Sequence, residues 1–314
     1  MEEIRHEYIK VNGLKLHVAE LGTESAPAVV FLHGFPEVWY SWRHQIIPVA
    51  KAGFRAIAYD YRGYGESEQP PEPEKATFAD FMNDLLALLD ARMLVKVFLV
   101  AKDFGVRIAY IFAMLHPERV SGIINLGVPF APPGRTNIPN LPEGCYITRF
   151  KEPGRAEADL NRFSCKTVLR RIYILFSRSE VPTADANQEI MDIVDSTTPL
   201  PPWLSEQDLD VYASLYDKSS FQTALQVPYR SLQEQFNIEN KKVDVPVLVI
   251  TGEKDFSLKF PGIEDYIKSN KAKAYAPHSK TVYLPEGSHF MQEQFPDKVN
   301  QMILTFLRLH SCHR

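Results

Sequence analysis

Apolar and polar positions divide the chain into segments of two periods. His6 to Val11 and Leu14 to Glu20 alternate, and Asn12-Gly13 between them predicts two antiparallel strands joined by a tight turn. Ala28 to Leu32 is a continuous apolar run, and Phe54 to Asp60, Val97 to Ala101, Val120 to Leu126, Val245 to Ile250 and Thr281 to Leu284 are predominantly apolar runs with β-branched residues. Such runs predict strands buried on both faces. Between them, Ser41 to Ile47, Phe78 to Met93, Phe104 to about His116 and Phe295 to Leu309 carry helical spacing, with Pro48 near the end of the first. Strand and helix alternate with short connections, which specifies an α/β fold: a mostly parallel sheet with helices on both faces. Side chains that act on a ligand then gather at the carboxyl ends of the strands. His33, Asp60 and Asp103 all fall at that end.

From about Pro129 the texture changes. Pro129, Pro132, Pro133, Pro139 and Pro142 interrupt regular structure. Helical spacing follows at Ala156 to Phe163, Lys166 to Phe176, Ser205 to Tyr216 and Phe221 to Asn237, with no strand signal between about residues 130 and 240. The pattern predicts an inserted helical lid at 130–240, between a first core part at 1–129 and a second at 241–314.

Composition narrows the class. Of 314 residues, 45% are hydrophobic and 24% charged, as in a globular protein with a substantial core. Thirty-five Lys and Arg against 39 Asp and Glu leave a net charge of −4, which gives no reason to expect nucleic acid or an anionic membrane as partner. No run is long and apolar enough to span a bilayer. Cys145, Cys165 and Cys312 show neither metal-ligand spacing nor a disulfide framework, so no metal or cofactor is expected. The charged start lacks an apolar signal core, and the last residues, Ser-Cys-His-Arg, match no address or anchor motif. These features predict a cytoplasmic protein, monomer or homodimer.

Candidate chemistry centres on Val97 to Val106. A buried strand ends at Lys102-Asp103, Gly105 follows, and an amphipathic helix begins. Asp103 in isolation fits a helix N-cap. The same strand–turn–helix corner holds the nucleophile in serine hydrolases, with a nearby Gly that lets backbones pass closely. Asp255 and His289 also directly follow predicted buried strands. Nucleophile, acid and histidine in that chain order form the triad of the α/β-hydrolase fold. An ionised Asp attacks carbon to form an ester, and a histidine held by an acid activates the water that hydrolyses it. A carboxylate nucleophile suits saturated carbon bearing a leaving group, as in an epoxide or an alkyl halide. Gly34 after a strand turns the backbone inward, and the N–H groups of Phe35 and Phe104 form a candidate oxyanion hole. Pro36 is a candidate cis proline.

The chain resembles the α/β-hydrolase-fold epoxide hydrolases, particularly the soluble plant type. The resemblance rests on His33-Gly34-Phe35-Pro36-Glu37, Trp42-Arg43-His44-Gln45, Asp60-Tyr61-Arg62-Gly63-Tyr64-Gly65, Asp103 with Gly105, Arg149-Phe150 through Glu157, Pro228-Tyr229-Arg230, Asp255 and Gly287-Ser288-His289. It implies hydrolysis of an epoxide to a vicinal diol. It also implies two lid tyrosines over the nucleophile, matched by position to Tyr146 and Tyr229, that hold the epoxide oxygen and protonate the alkoxide. His33, Pro36, Trp39 and Phe130 are expected to line an apolar pocket for a small lipophilic epoxide. The family pattern has Gly-His before the nucleophile and Trp after it; in this chain Ala101, Lys102 and Phe104 stand there. An ion pair of Lys102 with Glu37 is expected in place of the His–Glu contact. The departure also leaves open a non-hydrolytic epoxide opening, cyclisation or isomerisation. Phe104 disfavours a haloalkane-type dehalogenase, which needs a halide-holding N–H donor.

Overall fold

The computed structural model describes residues 3–130 and 141–311. Pro132, Pro133, Pro139 and Cys312 to Arg314 lie outside them. Eight strands form one sheet: β1 (Arg5–Val11), β2 (Leu14–Leu21), β3 (Ala28–Leu32), β4 (Arg55–Tyr59), β5 (Val97–Lys102), β6 (Val120–Leu126), β7 (Val247–Gly252) and β8 (Ser279–Leu284). Their spatial order is β1-β2-β4-β3-β5-β6-β7-β8. β1 and β2 pair antiparallel through Asn12 (φ 49°) and Gly13 (φ 84°), the left-handed pair that a type I′ turn requires. β2 also meets β4 antiparallel, and all other pairs are parallel. Strands β3, β4, β5 and β7 are buried at every position, which explains their largely apolar sequences.

The strand order reverses between β3 and β5. The chain leaves β3 toward β4 on one side, then returns to place β5 on the other. In open parallel sheets such a switch point opens a crevice beyond the carboxyl ends of the two strands. Gly34 and Phe35 follow β3, and Asp103 follows β5, so all three border that crevice.

Helices α1 (Arg43–Lys51), α2 (Phe78–Ala91) and α3 (Phe104–Leu115) pack on the first half of the sheet. A capping box of Thr77 and Asp80 starts α2. Between β6 and β7 the described chain is helical: α4 (Tyr146–Lys151), α5 (Arg155–Leu160), α6 (Cys165–Phe176), α7 (Glu206–Ser219) and α8 (Gln222–Leu225). This lid segment is tied to the core at Arg43, which bonds Glu293 at 2.6 Å and Asp208 of α7 at 3.1 Å, and at Tyr212 of α7, whose hydroxyl donates to Glu293 at 2.9 Å. The second half of the sheet carries α9 (Ile263–Lys268), α10 (Met291–Gln294) and α11 (Pro296–Ser311). No helix among the described residues is long and apolar enough to cross a membrane.

Two expected elements need correction. The helix expected from Phe221 to Asn237 stops at Leu225 and widens into a π turn at Gln226–Arg230. Pro228 has no N–H for a regular helix, and the wider turn accommodates it. β7 begins two residues later than expected, because Pro246 lacks the N–H that would extend the ladder. Helices α4 and α9 carry too few residues for a periodic signal.

Candidate active site

The loops after β3 and β5 touch at backbone distance. A Cβ on Gly34 would lie 2.4 Å from the Cβ of Asp103, and one on Gly105 would lie 2.4 Å from the carbonyl oxygen of Leu32. Only glycine fits either place, so these two residues fix how closely the corner approaches its neighbour. Asp103 sits at φ 53°, ψ −125° between β5 and α3, and its carboxylate makes no capping bond to the helix. Instead Oδ1 accepts the Phe35 N–H at 2.9 Å, while Oδ2 lies 3.6 Å from Nε2 of His289.

His289 follows β8, and Asp255 follows β7. The two loops are pressed together: a Cβ on Gly252 would meet the Gly287 carbonyl oxygen at 2.4 Å. His289 Nδ1 is 3.1 Å from Asp255 Oδ1. That oxygen also accepts the Ser257 N–H at 2.9 Å and its hydroxyl at 2.7 Å, so the acid is held from two sides. Burial alone would push both carboxyls up. The His289 imidazole overrides it, joined by Lys102 and the Phe35 N–H at Asp103 and by Ser257 at Asp255, so both lie below the ordinary carboxylate range. Burial and Lys102 oppose the charge on His289, but Asp255 and Asp103 outweigh them and raise it to about 9.

Behind Asp103, Lys102 Nζ lies 3.0 Å from Glu37 Oε2, and both side chains are almost wholly buried. Glu37 also accepts from Gln292 at 2.6 Å and from the Gly34 N–H at 3.3 Å. The ammonium stands over the Phe290 ring, 4.6 Å from its centre. The pair is therefore desolvated, hydrogen-bonded and one residue from the carboxylate at the corner.

The cleft above Asp103 measures about 850 Å³. Phe104, Phe130, Ile147, Leu232 and Phe260 line it beside Asp103, Asp255 and His289, an apolar enclosure around a few polar groups. Three expected lining residues are elsewhere. His33 is buried against Tyr61, its Nδ1 2.9 Å from the Gly34 carbonyl oxygen. Pro36, joined to Phe35 by a cis bond, does not line the cleft. Trp39 packs on His6 and His17, because Asp60 accepts its backbone N–H at 2.7 Å and draws it toward β2.

Tyr229 stands on the π turn with its ring edge-on to Phe35, Phe104 and Phe150, 5.3–5.4 Å between centres. Its hydroxyl is buried and has no partner among the described residues. Tyr146, first residue of α4, has its ring 6.1 Å from that of Tyr229. Burial and the nearby Asp103 charge hold both phenols well above their ordinary value. Each tyrosine is anchored by a neighbouring arginine: Arg230 forks onto Glu157 of α5 through Nη1 and Nη2 at 2.7 and 2.8 Å, and Arg149 places Nη1 3.1 Å from both oxygens of Glu189. Sequence reasoning named Arg149, Glu157 and Arg230 but not their pairings, and it did not reach Glu189. It also missed Ser257, although Asp-x-Ser is a local capping pattern, and Gln292, which carries no sequence signal.

Residues 27–296 match the α/β hydrolase fold family. The chain is 36% identical to epoxide hydrolase 1 of Siraitia grosvenorii, over 98% of this chain and 99% of that one. It is similar to the crystal structure of an epoxide hydrolase from Vigna radiata, with 35% identity, a TM-score of 0.90 and 98% of both chains covered. It is similar also to potato (Solanum tuberosum) epoxide hydrolase I, with 32% identity, a TM-score of 0.87 and 97% and 99% covered. With a mostly parallel sheet, a helical insertion and an aspartate at the corner after β5, the chain belongs to the epoxide hydrolases of the α/β hydrolase fold.

Proposed function

We propose that this protein opens a small lipophilic epoxide with water, giving a vicinal diol through an ester on Asp103. One observation carries the reading: the two Asp103 oxygens differ. Oδ1 is tied to the Phe35 N–H, while Oδ2 has only the looser 3.6 Å ion-pair contact with His289 Nε2. Oδ2 attacks an epoxide carbon, the carbon–oxygen bond of the ring breaks, and the alkoxide takes a proton from Tyr229 or Tyr146. Water then attacks the ester carbonyl carbon and gives its proton to His289 Nε2. The negative charge that develops on Oδ1 is met by the N–H groups of Phe35 and Phe104. Cleavage of the acyl carbon–oxygen bond releases the diol, whose departing oxygen takes the second proton of the water, and the oxygen of the water stays in the Asp103 carboxylate.

The electrostatics order these steps. In the resting site two carboxylates hold the proton on His289. Alkylation removes the charge of Asp103, while Lys102 still opposes the imidazolium, so His289 gives up its proton, which restores the tyrosinate left by ring opening, and becomes a base when the ester needs one. Lys102→Met removes that opposition and leaves Glu37 buried without its partner. The acidic limb of ester hydrolysis is expected to move to higher pH, with a loss of about 3–5 kcal/mol in stability. Single-turnover rates across pH and chemical denaturation measure the two effects.

The hydroxyl of Tyr229 is the buried, unpartnered donor that an epoxide oxygen would satisfy. Tyr229→Phe is expected to lower the alkylation rate about 100-fold with little change in thermal stability, read by rapid-quench measurement of ester formation.

The direct test supplies a neutral aryl or alkyl epoxide, and a chloroalkane of similar size, and identifies products by mass spectrometry. Diol from the epoxide without chloride release supports the reading. Chloride release would point to dehalogenation, which the absence of all three tryptophans from the cleft lining disfavours. An isomer or cyclised product without incorporated water would point to a non-hydrolytic relative. Cys145 and Cys165 are free, which suits a reducing cytoplasmic compartment. Nothing in the mechanism requires more than one copy of the chain, as monomer or homodimer.

A further inference from the structure

The two oxygens of Asp255 are unequally used. Oδ1 takes three donors: the Ser257 hydroxyl at 2.7 Å, the Ser257 N–H at 2.9 Å and His289 Nδ1 at 3.1 Å. Oδ2 is buried and has no partner among the described residues. A carboxylate oxygen offers about two lone-pair sites, so the three donors compete for Oδ1. The histidine makes the longest of the three bonds, beyond the about 2.7–2.9 Å of a charge-assisted N–H···O pair, and the serine hydroxyl makes the shortest. Ser257 sits in the short helical turn Phe256–Lys259 that Asp255 caps. Its N–H would meet the acid whatever side chain stood there; the hydroxyl is the addition. Its hydrogen points at the oxygen that faces the imidazole, so its dipole opposes positive charge on His289 in the same sense as the Lys102 ammonium.

The charged groups that face His289 are Asp103 and Lys102 at the corner after β5 and Asp255 after β7. Phe176 of α6, Phe256 and Phe290 bring only rings. Tyr146 of α4 faces Asp255 from the lid with its phenol held neutral, and Asp265 and Lys271 line the same cleft. Among the described residues, Ser257 is the one side chain besides His289 that hydrogen-bonds the acid.

We infer that Ser257 is a positioning residue for ester hydrolysis: by occupying Oδ1 of Asp255, its hydroxyl loosens the acid's hold on the His289 proton and hastens release of the imidazole as a base. This rests on the epoxide-opening reading above. No bond is made or broken at Ser257, which acts only through Asp255. Without the hydroxyl, Oδ1 has one donor fewer, the contact with Nδ1 tightens and the imidazolium is favoured.

The test follows ester formation and ester hydrolysis in single turnovers of a neutral epoxide across pH, in wild type, Ser257→Ala and Ser257→Thr. Ser257→Ala is expected to move the acidic limb of ester hydrolysis up by about half a pH unit or more, which slows hydrolysis about threefold on that limb, and to leave ester formation unchanged. Ser257→Thr retains a hydroxyl and should keep the wild-type profile. An unmoved or lowered limb in Ser257→Ala, or an equal shift in Ser257→Thr, overturns the inference. If Ser257→Ala does not fold, Ser257→Cys puts a weak donor in place of the hydroxyl; the same upward shift upholds the inference and an unmoved limb overturns it. If wild type turns over no epoxide, the hydrolase reading fails, and Ser257 is judged on the resting protein from the ring nitrogen chemical shifts of His289. Titration at higher pH in Ser257→Ala than in wild type upholds the action of Ser257 through the acid, and titration at the same or lower pH overturns it.

Discussion

Asp103→Asn is expected to abolish ester formation and to lower kcat/KM by about 10⁴-fold or more. The amide matches the carboxylate in shape, its oxygen can still accept the Phe35 N–H, and asparagine, like aspartate, is among the non-glycine residues enriched at positive φ, which is 53° at this corner. The fold therefore stays while the nucleophile is lost, and thermal unfolding should shift little. A second consequence separates this from general damage. Asp103 is one of two carboxylates that hold His289 at about 9, so in Asp103→Asn the imidazole should titrate at lower pH, visible in its ring nitrogen chemical shifts. Rapid quenching should give no protein mass increased by that of the substrate. Turnover within tenfold of wild type would instead mean that water attacks the epoxide directly. Intact mass before the assay excludes reversion by deamidation.

His289→Gln is expected to stop the cycle at the opposite point. Glutamine cannot take a proton from water, but Asp103 keeps its charge and its Phe35 contact. One equivalent of epoxide should be consumed and held as the ester, with overall turnover lowered about 10⁴-fold. Mass spectrometry should find the whole substrate attached to the peptide containing Asp103. A variant that neither turns over nor forms the adduct would show that His289 is needed for the first step, contrary to this division of roles. The expectation follows from distance: Nε2 stands 3.6 Å from Oδ2, positioned for a water on the ester and not required for attack on carbon.

These expectations depend on residues that the sequence marks unusually well. Buried parallel strands have almost no solvent face, so β3, β5 and β6 appear as predominantly apolar runs whose ends coincide with the observed ends within a residue. A polar residue that stops such a run stands at the carboxyl edge, and for Asp103, Asp255 and His289 the edge is one place in space. The expected Lys102–Glu37 contact is present at 3.0 Å. Trp39 shows the limit of that logic. Its nearness in sequence to Phe35 suggested the pocket, but a hydrogen bond to Asp60 sets its backbone and leaves its ring against His6 and His17. The Phe221 to Asn237 segment fails for another reason: periodicity sees apolar spacing and not the missing N–H of Pro228.

The central claim is that Asp103 is the nucleophile. It is tested most directly by a single turnover of a neutral lipophilic epoxide in heavy-oxygen water, with enzyme in excess, followed by mass spectrometry of the peptide containing Asp103. Heavy oxygen is expected in the Asp103 carboxylate together with diol product, because water attacks the ester carbonyl and leaves its oxygen there. Diol carrying the heavy oxygen, with none in Asp103, would contradict the claim.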